Sequence, residues 1–543
     1  MTDHPMGRAE RLIVLASCAA ASLGAIAWSW TRHAMLNYGD AVAHLHIARR
    51  VLDSHFPGYS QLGSVWLPLP HLLMIPFVAV YAWWANGVAG LIPSALAWLA
   101  SCYGLYRLAR RWLPPAPAAI ALAFFALNPN LLYLQTTAMT EPLFVCEMVW
   151  TALWLVEWRA SIDTPDENKT ARLVWLIALV LVAAVFTRYD GWIMALLAWT
   201  AMGIVLLRRR RLASPAFWLA SAVVVAAPVL WFAYNAHVFG DWLSFARGPY
   251  SAAAIEKRTA SPGDGPPHPG WHDPWVSLLF FVKAAEMAAA TLDWGNKLLL
   301  LSALGVLWGV LIARGRGFLW TLLLWLPVPF YAYSVAFGSV PIFLPVWWPH
   351  SYYNTRYGLE LLPAFALGVG FAAAFVLAAL REFKPQAVRA AAGILFGVVL
   401  LNALQMLRER PVVYVEGTKN IESRRAFEEQ IPPVLRAVMA THPGGQLLMN
   451  TSVYPQIVAF SGIPLRQTIN EGDQVLYTQA LAAPAAHAAA VLAFDGDPVD
   501  QAVKTHPEGL HAVRRFTSAT QPAGTLYVSD TSLGQPPGGA PAR

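Results

Sequence analysis

Apolar runs of about twenty residues recur from one end of this chain to the other, and that recurrence leaves few folds open. A backbone placed in hydrocarbon must satisfy its own polar groups, so a run of this length reads as a helix crossing a bilayer. Eleven such runs are legible, at 12–30, 88–108, 117–134, 142–158, 173–187, 191–207, 214–234, 297–313, 317–336, 358–380 and 390–407. Only 13% of the 543 residues are charged and 57% are hydrophobic, about half the charged share of a soluble domain. The expected fold is an all-α polytopic membrane bundle.

The basic residues gather in short clusters beside the runs: Arg8 and Arg11, Arg110-Arg111, Arg208 to Arg211, and Arg381 with Lys384 and Arg389. Such clusters mark cytoplasmic loops, so the net charge of +7 is a topology signal and not a nucleic-acid footprint. The run 66–84 breaks the alternation. Counted as a span, it would invert every later cluster, and Pro68, Pro70 and Pro76 make it a poor straight helix. It reads as a juxtamembrane or re-entrant segment on the outer face, and 275–292 as a second juxtamembrane helix. Cys18, Cys102 and Cys146 lie in apolar runs and read as core residues. Past 407 the composition turns mixed and polar. A helical stretch at 422–440 and runs at 446–451, 489–494 and 525–529 predict a small α/β extracytoplasmic domain over 408–533. The Pro/Gly-rich end, 534–543, is expected to be disordered.

Acids at a membrane edge are costly to place and seldom idle. Asp40 follows the first span, with His44 one helical turn on. The pair could orient a general base or take part in binding a divalent metal ion; equally, Asp40 could cap the helix 41–53. Glu141 opens the fourth span beside Pro142, where it serves either as a functional acid or as a helix-end charge. Arg188, Tyr189 and Asp190 form a tight outer turn suited to a sugar or a phosphate, or to a salt-bridged corner. The loop 345–357 sets aromatics, Tyr353 and Tyr357 among them, around Arg356, which would suit a lipid phosphate with its isoprene wall. Arg247 and Arg258 in the long loop 235–274 are rival phosphate partners, and His71 a further binding candidate or a plain interfacial side chain. There is no Walker A loop, dinucleotide glycine pattern or zinc-protease motif, so no nucleotide cofactor is expected.

Asp40, the following Ala48-Arg49-Arg50, the proline-broken run 66–76, Thr140-Glu141-Pro142-Leu143-Phe144 and Arg188-Tyr189-Asp190-Gly191-Trp192 together resemble the GT-C membrane glycosyltransferases, of the protein O-mannosyltransferase and aminoarabinose transferase (family 39) type. The resemblance covers 1–200 well, 340–380 fairly, and the tail by position only. It implies that juxtamembrane helices frame the site, in agreement with the bundle of about eleven transmembrane helices read from the runs. It also implies a first-loop acid, Asp40, that activates the acceptor or associates with a metal, and Glu141 as second acid. Two departures stand out: Ala41 follows Asp40 where the family often has Glu, and Ser64-Val65-Trp66 replaces the Lys that often precedes the proline-broken run.

The function expected is transfer of a sugar from a polyprenyl-phosphate donor to an extracytoplasmic acceptor, with inversion, in a bacterial-type plasma membrane. Asp40 and Glu141 are expected to meet at the outer lip of the bundle. The alternative is a transporter or flippase of lipid-linked sugars, which would place charges in mid-span. A third reading is an assembly protein whose tail binds envelope partners.

Overall fold

In a computed structural model of the chain, residues 6–259, 266–313, 317–519 and 521–530 are described. The segment 534–543 lies outside them. Among the described residues, nine helices are long and apolar enough to cross a membrane. The other two expected spans are helical but differ in kind. The run 117–134 is split into Pro115–Ala126 and Pro129–Leu134. Asn128 caps the second piece by accepting from the amides of Asn130 and Leu131, and Pro129 cannot continue the first. The run 142–158 is one helix, Glu141–Ser161, but Glu141, Glu147 and Glu157 interrupt its apolar sequence. The proline-broken run forms two short helices, Leu69–Val78 and Tyr81–Asn86. Pro274–Ala289, capped by Asp273, takes the place of the second juxtamembrane helix.

The chain divides into two compact units. Unit one holds Met1–Ala34, Ser64–Pro70 and Leu91–Glu416; unit two holds Met35–Gly63, His71–Gly90 and Gly417–Arg543. Composition draws its boundary at 407/408, whereas unit two also includes the first loop and most of the proline-broken run. The reason is local bonding: Arg424, Asp53 and Tyr81 tie those segments to the C-terminal part.

In unit one, helices Leu292–Ala313 and Leu362–Phe383 pack backbone to backbone. A Cβ on Gly305 would strike the carbonyl of Gly368, and one on Gly368 would strike Ser302. Small residues allow this approach without a hydrophobic drive between helices in lipid, and Ser302 Oγ donates to the carbonyl of Phe365 at 3.2 Å.

Unit two contains a five-stranded sheet of β1 (Leu447–Met449), β2 (Thr468–Ile469), β3 (Ala490–Phe494), β4 (Leu510–Phe516) and β5 (Gly524–Ser529), in the order β2-β1-β3-β5-β4. The β2-β1 and β1-β3 pairs are parallel; β3-β5 and β5-β4 are antiparallel. Leu448, Ile469, Val491, Val499 and Val503 form its core. The α/β expectation for the tail is met. β1, β3 and β5 coincide with the apolar runs read from sequence, while β4 is largely exposed and carries no such run.

Candidate functional site

Unit one gathers charge at the start of helix Glu141–Ser161. Glu141 is buried, with Pro142 fixing the helix start. Its Oε1 accepts from Arg356 Nε at 3.1 Å, and Arg188 Nη1 lies 3.5 Å away. Arg356 reaches it from the 3-10 turn Thr355–Leu361. The other arm of Arg356, Nη1, donates to Glu416 Oε1 at 2.6 Å. Glu416 also takes the amides of Asn354 (3.0 Å) and Thr355 (2.8 Å) and the Thr355 hydroxyl. Asn354 occupies the left-handed region with φ 57°, so Glu416 clamps a tight corner whose product is the placement of Arg356.

Arg188 sits between helices Glu167–Thr187 and Asp190–Arg208. Each of its nitrogens is engaged: Nε with Asp190 at 3.2 Å, Nη1 with the Thr140 hydroxyl at 3.0 Å, and Nη2 with the Tyr331 hydroxyl at 2.7 Å and Glu360 at 3.2 Å. Tyr331 donates to Glu360 Oε1 at 2.7 Å. The ring of Tyr357 stacks on Tyr331 (centroids 4.9 Å apart) and its centroid lies 5.1 Å from each guanidinium carbon, so both cations lie beside one aromatic ring. Two guanidiniums thus face four carboxylates: Glu141, Asp190, Glu360 and Glu416. Deeper in the same helix, Glu147 is buried and accepts from the Thr187 hydroxyl at 2.7 Å.

Of the residues singled out from sequence, Glu141, Arg188, Asp190, Arg356 and Tyr357 come together here. Tyr189 does not: its hydroxyl donates to the Val65 carbonyl at 2.8 Å and its ring stacks on Phe245. Tyr353 pairs by backbone with Phe343. Arg247 is exposed at the end of the short helix Ser244–Arg247. Arg258 belongs to helix Ala252–Thr259, with its side chain outside the described residues. Glu360, Glu416 and Tyr331 escaped the sequence reading. Glu360 had a signal, being the single charged residue in the run 358–380. Glu416 and Tyr331 had none.

Asp40 and Glu141 belong to different units. In unit two, Asp40 is half-buried in the first turn of helix Gly39–Arg50, and His44 follows one turn later. His44 Nδ1 lies 2.8 Å from His71 Nε2, and both rings are buried. Burial, with His44 and Arg50 nearby, holds the His71 imidazole well below its ordinary range. Among the described residues no three His, Cys, Asp or Glu side chains converge as a metal would need. Asp40 and His44 by themselves do not complete such a ligand set, and no step is assigned to a metal.

No family model matches the sequence, and no curated protein does. Solved structures do match. The crystal structure of ArnT from Cupriavidus metallidurans bound to undecaprenyl phosphate aligns with a TM-score of 0.57 at 14% identity, over 97% of this chain and 99% of that one. The same enzyme in its apo state aligns with a TM-score of 0.51 at 14% identity, over 96% and 100%. At such identity the likeness shows the fold alone: this chain has the polytopic helical architecture of ArnT.

Proposed function

We propose that this protein is a membrane glycosyltransferase that moves a sugar from a polyprenyl-phosphate donor to an extracytoplasmic acceptor with inversion. The observation that carries this reading is Glu141: a buried carboxylate held by two arginines at one end of the helices that would span the membrane. Helix Asp190–Arg208 begins in this charged layer and ends at the basic run Arg208 to Arg211. Eighteen residues of helix rise about 27 Å, close to one hydrocarbon thickness. Basic clusters mark the cytoplasmic side, which supports an outer location for the layer.

The same unit offers an apolar groove of about 700 Å³ lined by Leu155, Leu197, Ala201, Leu319, Trp325 and Pro329, among others. Leu155 and Leu197 line it from the helices that begin at Glu141 and Asp190, and its walls are apolar. That form suits an isoprenoid tail.

In the reaction proposed, the acceptor hydroxyl attacks the anomeric carbon, Asp40 takes its proton, and the bond from that carbon to the phosphate oxygen breaks with the electron pair leaving on the phosphate. Glu141 is the second acid that the family resemblance implies. All three nitrogens of Arg188 already serve carboxylates and hydroxyls, so it and Arg356 suit holding Glu141 in a fixed orientation. Arg247, exposed in the long loop, is assigned to the phosphate.

A second reading, transport of lipid-linked sugars, is favoured by Glu147, which lies about 9 Å deeper along its helix than Glu141. One experiment separates the two. Protein in proteoliposomes is given a panel of radiolabelled undecaprenyl-phosphate sugars with an envelope lipid extract as acceptor. Transferase activity releases undecaprenyl phosphate and moves the label to the acceptor, with D40N and E141Q each reducing this at least roughly a hundredfold. Label crossing the bilayer on an intact donor, or full transfer by a well-folded D40N, would overturn the proposal.

A further inference from the structure

The start of the Asp40 helix is held by the C-terminal part of unit two. Arg424, buried at the head of helix Arg425–Ala440, donates through Nη2 to the carbonyls of Leu36 (3.2 Å) and Asn37 (3.1 Å). Its Nη1 is balanced by Glu428 at 2.6 Å. Asn420 Oδ1, in helix Val412–Glu422, accepts the amide of Gly39 at 2.7 Å. Three of the four residues preceding Asp40 are therefore fixed by two side chains almost four hundred positions away. Contact is close: a Cβ on Gly39 would lie 3.2 Å from Asn420 Oδ1 and 3.8 Å from Arg424 Nε.

The far end of the same helix is tied down in the same way. Arg49 grips Asp53 through Nε (3.1 Å) and Nη2 (2.8 Å), and Asp53 also accepts the amides of Leu465 (3.3 Å) and Arg466 (3.4 Å). Tyr81 donates to the Ala459 carbonyl at 2.8 Å, and Gln456 to that of Ala85 at 2.7 Å. The sheet-bearing segment thus grips the first loop at both ends of the helix that carries Asp40.

We infer that Asn420 and Arg424 are positioning residues for Asp40, and that the C-terminal segment serves the reaction by holding the first-loop helix in place. The inference rests on the reading of Asp40 as the acceptor-activating acid. A reacting carboxylate must be held to within roughly 0.5 Å of its productive position. A displacement of about 1 Å can cost a hundredfold in rate. Asp40 is the second residue of its helix, so its place follows from the backbone of Asn37 to Gly39. An amide acceptor and a two-pronged guanidinium suit this work. Lysine at 424 would offer one nitrogen where two carbonyls and a carboxylate are served.

The test compares N420A, N420D, R424K and the exposed control K419A, each alone and on a D40N background, with the undecaprenyl-phosphate sugar that the wild type uses. N420A and R424K are expected to lower kcat about ten- to a hundredfold at unchanged donor KM, and to speed amide exchange across residues 36–42 while 141–150 is unaffected. N420D keeps an oxygen for the Gly39 amide and is expected to restore most of the rate; K419A is expected to match the wild type. On D40N, N420A is expected to cause no further loss, because its effect passes through Asp40. If R424K does not fold, N420A and N420D carry the test. Full activity in N420A, or losses that multiply on the D40N background, overturn the positioning role. Full activity in D40N alone instead overturns the reading of Asp40, a result that these losses cannot mimic.

Discussion

Arg356 donates through Nε to Glu141 at 3.1 Å, joining residues 215 positions apart in sequence. Its second arm ends on Glu416, so one rigid fork spans two buried carboxylates. Lysine keeps the charge but cannot bridge both. R356K is therefore expected to lower sugar transfer roughly ten- to a hundredfold while the protein still inserts and purifies normally. Transfer at the wild-type rate by R356K would show that the orientation of Glu141 does not matter to the reaction.

Glu416 carries a different load. Removing it takes away the acceptor that Arg356 Nη1 and the amides of Asn354 and Thr355 share. Breaking a buried pair from one side costs about 3–5 kcal/mol. E416A is expected to lower the melting temperature in detergent by several degrees, and E416Q, which retains one oxygen, by less. Equal melting temperatures for E416A and wild type would mean that the 354–356 corner holds without its clamp.

The eleven helical runs were legible because hydrocarbon leaves a backbone no other partner than itself. What the runs could not convey was the break at Asn128-Pro129, where a local cap competes with helix continuation. In the layer around Glu141, the members at run ends stood out because a charge there defies the surrounding composition. The partners of Arg188 and Arg356 did not stand out: cations at an outer edge suggest a phosphate, whereas the structure turns their nitrogens toward Glu141, Asp190, Glu360 and Glu416. Glu416 lies 60 positions from Arg356, and no local pattern pairs them. The boundary at 407/408 followed composition, but Arg424 and Asp53 join segments by hydrogen bonds that composition does not record.

The apolar groove yields a chain-length prediction. Ala201 lines it and is only partly buried, so a larger side chain can enter without displacing the helix core. A201W is expected to raise the KM for an undecaprenyl-phosphate sugar about tenfold, which corresponds to ~1.4 kcal/mol, and to leave use of a short geranyl-phosphate analogue unchanged. A loss that is the same for both chain lengths would place the isoprenoid elsewhere.

Unit two should weaken in acid, and one residue isolates the cause. His46 is buried against Trp84, and burial, with Arg50 adding its charge, pushes the imidazole down to about 3. Unfolded, that ring titrates near 6.5. Between those values the unfolded chain binds a proton that the folded unit refuses, so this contribution is complete above pH 6.5 and is lost as the pH falls below it. Burial of His71 acts in the same direction. Asp473 and Asp497, both pushed up by burial to about 6, act in the opposite one: folded, they take up protons earlier than the unfolded chain, which adds stability as the pH drops from 6 toward 4. Replacing His46 by Phe removes one refused proton and keeps an aromatic ring beside Trp84. Melting curves of the full-length protein between pH 7.5 and 4.5 are expected to fall less steeply for H46F than for wild type, and more steeply for D473N. If H46F and wild type lose stability in parallel across that range, the His46 ring takes up its proton in the folded unit as readily as in the unfolded chain.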